Sequence, residues 1–105
     1  MVQPYYQPMS AVLFDTNALI NICRENDVAK LEVFGSTARG EANDDSDIDL
    51  LVEFSKRRSL LALVGVERKM SAALGRKVDL LTKAAISPHL RERIKQDLRV
   101  IYEAR

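Results

Sequence analysis

A single cysteine, no long apolar run and almost no net charge set the first limits on this chain. Cys23 alone excludes an internal disulfide framework and fits a reducing compartment. No apolar stretch approaches the ~20 residues needed to span a bilayer. Residues Met1 to Pro8 lack the charged and apolar regions of a secretory signal. From these absences we expect a cytoplasmic protein that is not bound to a membrane. Lys and Arg number 16 against 15 Asp and Glu, a net charge of +1. That balance argues against nucleic acid as a direct ligand, since such binders carry a basic excess or a basic face. There is no internal repeat, and no linker long enough to divide 105 residues into two units. We read residues 1–13 as a loose leader, with Pro4 and Pro8 discouraging regular structure, and 14–105 as one domain.

What is present is an ordinary globular composition, 47% apolar and 30% charged. The charge is unevenly placed. Glu41, Asp44, Asp45, Asp47, Asp49 and Glu53 form an acidic island, while most basic residues lie beyond residue 55. Such an island calls for a cation or a basic neighbour.

Periodicity outlines the elements. Asp15 or Thr16 caps a helix carrying Leu19, Ile22 and Cys23, ending near Asn26. Leu31 to Phe34 reads as a strand that runs into Gly35-Ser36, followed by a short helix to Gly40. Asn43 to Ser46 is dense in turn formers, and a strand with Ile48, Leu50, Val52 and Phe54 on one face follows. Leu60, Leu61, Leu63, Val64, Glu67, Met70 and Leu74 give a helical stripe ended by Gly75. Val78 to Leu81 is a third strand. Ser87-Pro88 opens a last helix, which Leu90, Ile94, Leu98 and Ile101 extend to the chain end. The expected order is α-β-α-β-α-β-α, an α/β or α+β fold with a small mixed sheet flanked by helices.

Three aspartates stand out. Asp47 and Asp49, two apart on a strand, project from one face with Cα atoms roughly 6.5–7 Å apart. Carboxylates at that spacing suit two cations ~3.5–4 Å apart, the arrangement used for displacement at phosphorus. Asp79, between Val78 and Leu80, invites the idea that it faces the first two. Hard oxygen ligands point to Mg²⁺. Taken alone, the pair is equally a solvated strand start, and Asp79 is more often a structural or solvent-facing residue. Gly35-Ser36 adds a backbone that admits close approach and a hydroxyl suited to a phosphate oxygen. Arg39 either reaches a phosphate or clamps Asp44 or Asp45. Arg76 and Lys77 read as a solvated strand start, His89 as exposed on a first helical turn, and Tyr102 as packing.

The run Gly35-Ser36-Thr37-Ala38-Arg39-Gly40, then ten residues from Ser36 to Asp47-Ile48-Asp49, resembles the signature of the DNA polymerase β-type nucleotidyltransferases. The short length and the Gly-Ser-x-Ala-Arg-Gly form are similar to the minimal nucleotidyltransferases, the MntA-like antitoxins of HEPN/MNT toxin–antitoxin pairs. The likeness runs from about Thr16 to the last helix. It implies that Gly35 and Ser36 hold a triphosphate, with Arg39 as a further nucleotide contact. It implies that Asp47 and Asp49 bind two Mg²⁺ ions, and that Asp79 completes the metal site and helps deprotonate the acceptor. It further implies transfer of AMP from ATP to a tyrosine of a HEPN-domain RNase toxin. Two other readings stay open: an antitoxin acting by complex formation alone, and nucleotidyl transfer to an RNA end.

Overall fold

A computed structural model of the protein describes residues 15–40 and 47–104. The expected leader and the turn at 43–46, with Glu41, Asp44 and Asp45, lie outside the described residues. The order is α1 (Thr16–Glu25), β1 (Val28–Phe34), α2 (Gly35–Ala38), β2 (Ile48–Phe54), α3 (Leu60–Leu74) and β3 (Val78–Thr82). A 3₁₀ turn (Lys83–Ala85), α4 (Pro88–Ile94) and β4 (Arg99–Glu103) complete the described order. No described helix is long and apolar enough to cross a membrane.

Local chemistry sets the helix ends. The Asp15 carboxylate accepts from the Ala18 N–H at 3.2 Å, and the Ser59 and Ser87 hydroxyls cap α3 and α4 in the same way. Pro88 occupies the start of α4, where its missing N–H costs nothing. Gly75 ends α3 in the left-handed conformation.

The strands form one mixed sheet in the order β3-β2-β1-β4. β1 runs antiparallel to β2 and β4, and β2 runs parallel to β3. One face of the sheet, with Leu31, Val33, Ile48, Leu50, Val52, Val78 and Leu80, packs on Leu19 and Cys23 of α1 and Val66 and Met70 of α3. Burial there pushes the Cys23 thiol up to about 12, so it behaves as a small apolar residue. The opposite face holds a smaller cluster of Phe34, Leu51, Ile86 and Ile94, joined by Leu81 and Leu98.

Two expectations change. The last helix does not reach Ile101; it ends at Ile94, and Arg99–Glu103 is a fourth strand. Leu98 packs beside Ile94 as a helical spacing of four would place it, but the Asp97 N–H already turns back to the Ile94 carbonyl at 2.9 Å. Beyond it, Val100-Ile101-Tyr102 is β-branched and aromatic, and it pairs the outer edge of β1, whose N–H and C=O groups need partners. Ile101 and Tyr102 lie against the main core. The second change is in α3, where Leu60 and Leu61 stand in solvent at 75% and 84% exposure and Val66 fills the core instead.

The outer edge of β3 is closed by side chains of α3. Ser71 Oγ accepts from the Val78 N–H at 3.1 Å and Glu67 Oε2 from the Leu80 N–H at 2.8 Å. One helical turn separates the two acceptors, matching the two-residue repeat of outward N–H groups along a parallel strand.

Candidate active site

Strand alternation decides where the aspartates point. Ile48 and Leu50 are wholly buried in the main core, so Asp49 between them must emerge on the other face. Val78 and Leu80 impose the same on Asp79. Parallel pairing of β2 with β3 then sets Asp49 directly beside Asp79 in register. Neighbouring strands lie about 4.8 Å apart, so the two carboxylates share one spot on the sheet.

On its other side Asp49 pairs with Phe34, the last residue of β1. The chain leaves β1 through Gly35, whose φ is +73°. A Cβ at Gly35 would collide with Asp49 Oδ2 and lie 3.3 Å from its Cγ. The backbone conformation favours glycine here, and any side chain would in addition displace the Asp49 carboxylate packed against it. The Gly35-Ser36 turn and Asp49 are one construction.

The grouping has an electrostatic consequence. Burial chiefly, then the carboxylates of Asp79 and Asp47, push the Asp49 carboxyl above its ordinary value, while Arg39 pulls it back. Asp47 lies just before β2, with its Oδ2 3.7 Å from Lys77 Nζ. The Ile48 N–H donates to the Lys77 carbonyl at 3.0 Å, so parallel pairing sets Asp47 beside Lys77 as it sets Asp49 beside Asp79. Both side chains of that ion pair are largely solvated, which makes it weak and easily exchanged.

The donor set fits a hard divalent cation: three carboxylates at one end of a sheet face, one of them burdened by its like-charged neighbours. Among the described residues no three such groups already stand at ion-holding distance. The ammonium of Lys77 presently partners Asp47 as a cation would.

Arg39 donates from Nη1 to Asp97 Oδ2 at 2.9 Å. The expected clamp partners Asp44 and Asp45 lie outside the described residues. Arg99 Nε donates to the Ala38 carbonyl at 2.9 Å. Asp97 and Arg99 are 58 and 61 residues away from these partners, and no local sequence pattern marks them. Lys77 was legible only as a strand start, because its partner depends on the strand register. His89 is exposed and Tyr102 half-buried, as expected. A shallow groove of about 530 Å³, lined by Lys56, Arg57, Arg58 and Lys83, lies at the far end of β2 and β3 from the aspartates.

Residues 17–101 match the nucleotidyltransferase domain family. The chain belongs to that family. This nucleotidyltransferase is 43% identical over 76 residues to a Methanocaldococcus jannaschii protein proposed as a protein adenylyltransferase, covering 72% of this chain and 82% of that one. It is 38% identical over 71 residues to the protein adenylyltransferase MntA of Thermococcus cleftensis, covering 68% and 72%. A solved structure described as a minimal nucleotidyltransferase superposes with a TM-score of 0.71 at 36% identity, covering 80% of this nucleotidyltransferase and 86% of that chain. A tri-AMPylated Shewanella oneidensis HEPN toxin in complex with its MNT antitoxin gives a TM-score of 0.66 at 22% identity, covering 85% and 70%, a likeness of fold.

Proposed function

We propose that this nucleotidyltransferase is an antitoxin that transfers AMP from ATP, with Mg²⁺, to a tyrosine of a HEPN-domain partner and so silences it. The observation that carries the reading is the junction of Gly35 with Asp49 and of Asp49 with Asp79 in register. A turn able to take phosphate and a pair of carboxylates meet at one point. The naming of MntA as a protein adenylyltransferase supports the choice of a protein acceptor, as does the AMPylated toxin bound to an antitoxin of the same fold.

In this reading Gly35 and Ser36 hold the triphosphate through the turn's backbone and the Ser36 hydroxyl. Arg39 offers a guanidinium to a phosphate oxygen. Asp47, Asp49 and Asp79 would hold two Mg²⁺ ions, which when bound neutralise phosphate charge and lower the pKa of an attacking hydroxyl. The acceptor tyrosine oxygen bonds to the α-phosphorus, the bond from that phosphorus to the bridging oxygen of the β-phosphate breaks, and pyrophosphate leaves. The tyrosine proton passes to an oxygen of Asp79. Positioning and charge neutralisation account for most of such a reaction, so it requires no histidine base.

The test is incubation with α-labelled ATP, Mg²⁺ and the HEPN partner. Label is expected on a partner tyrosine, and none with Asp47→Asn plus Asp49→Asn. Label that survives the double substitution rules out these roles. Protection of cells by the double variant, without any adduct, favours neutralisation by complex formation instead.

A further inference from the structure

The turn that would hold the nucleotide is too short to hold itself. α2 is a single turn of four residues, and one isolated helical turn has no stability of its own. Its position comes from elsewhere in the chain. Its own Thr37 and Ala38 are buried, and two side chains reach it from the entry to β4, Asp97 just before that strand and Arg99 at its first position. Arg99 donates to the Ala38 carbonyl, fixing the turn's backbone. Asp97 accepts from Arg39, fixing its side chain.

Between them Leu98 is seated in the apolar cluster with Phe34, the residue that precedes the turn. Asp97-Leu98-Arg99 therefore acts as a strap: an apolar anchor with an anion on one side and a cation on the other. Asp97 is the better sheltered member of its pair, with a side chain 27% exposed against 43% for Arg39. The carboxylate, next to the seated Leu98, is the more sheltered end of the pair and holds the guanidinium near the turn. Arg39 also stands close enough to Asp49 to offset the push of the other carboxylates. A guanidinium carries five donors in a rigid fork, so it can hold a carboxylate and a phosphate together.

We propose that Asp97 is a positioning residue for the nucleotide: it aims the Arg39 guanidinium at the phosphates held by Gly35 and Ser36, and acts only through Arg39. The inference rests on the functional reading above, and it places part of the nucleotide site in a segment that the Gly-Ser and Asp-x-Asp motif does not include.

The full-length chain is tested as wild type, Asp97→Asn, Asp97→Glu, Arg39→Ala and the double variant Arg39→Ala plus Asp97→Asn. Calorimetry with Mg²⁺ and AMP-PNP gives binding, steady-state transfer gives kcat and KM for ATP, and thermal melting reports folding. Asp97→Asn is expected to weaken AMP-PNP binding and raise KM about tenfold, as for loss of a charge-assisted contact, with kcat little changed. Asp97→Glu keeps the pair and recovers most of the loss. The double variant is no worse than Arg39→Ala alone, because the two residues act as one unit. Unchanged binding in Asp97→Asn overturns the proposal, as does a loss that adds to that of Arg39→Ala. Should Asp97→Asn melt at assay temperature, an Asp97→Glu variant that folds but binds no better than Arg39→Ala overturns it too. A wild type that binds no AMP-PNP sinks the functional reading itself, and this inference with it, a result distinct from the others.

Discussion

Asp49 is the residue on which the site converges. It touches the turn through Gly35, pairs laterally with Asp79, and carries the repulsion of Asp47 and Asp79, which Arg39 partly offsets. A protein selected for stability alone would not gather these charges; natural proteins place such strain where a ligand relieves it. Gly35 is bound to the same point. Gly35→Ala forces an L side chain into the left-handed region, costing about 1–2 kcal/mol, and drives a methyl into Asp49. The expected outcome is a lower urea midpoint together with loss of AMP-PNP binding. An alanine variant that binds normally would mean that Asp49 is free to move and that the packing has no role in the site. Much at this scale was legible beforehand, because Gly-Ser and Asp-x-Asp are short patterns whose residues touch through adjacent strand ends. Asp97, Arg99 and the Lys77–Asp47 pair were not, since each depends on which strands become neighbours.

Among the elements, β3 and β4 show how the sheet treats its two edges. β4 adds a short outer strand to β1, with Val100 left exposed. β3 is sealed instead by Ser71 and Glu67 of α3. That seal matters for the site, because β3 carries Asp79 to its place beside Asp49. Ser71→Ala and Glu67→Ala each leave a backbone donor without its side-chain acceptor, at a cost of about 1–2 kcal/mol. Hydrogen exchange is expected to quicken at Val78 and Leu80 specifically; uniform quickening along the chain would show that the two contacts are incidental to the edge. The first three strands, with the caps at Asp15, Ser87 and Gly75, were readable from alternation and turn chemistry. β4 was not. Leu90, Ile94 and Leu98 share a helical spacing with Ile101 only by coincidence, and the deciding fact, an unpaired edge on β1, belongs to the tertiary structure. The exposed Leu60 and Leu61 mislead in the same way, since a stripe on a helix says which residues align and not how far the core extends beneath them.

For the whole molecule, the sheet divides labour between its faces. α1 and α3 cover one face and supply most of the core, which leaves the other face with a small apolar cluster and the carboxylates beside it. The main core and the candidate site are thereby separated by the thickness of a single sheet, and three distant stretches of chain meet at one end of the open face. The central claim is that Gly35-Ser36 and Asp47, Asp49 and Asp79 make one site for metal and triphosphate. Manganese suits the same hard oxygen ligands as magnesium and broadens nearby NMR signals, so it reads that claim directly. Titration of the full-length protein with Mn²⁺ in the presence of AMP-PNP should broaden the amides of residues 34–36, 47–49 and 79 first, and Asp47→Asn plus Asp49→Asn should abolish the effect. Broadening centred on Lys56–Arg58 and Lys83 at the far end of the sheet, or unchanged by the double substitution, would contradict it.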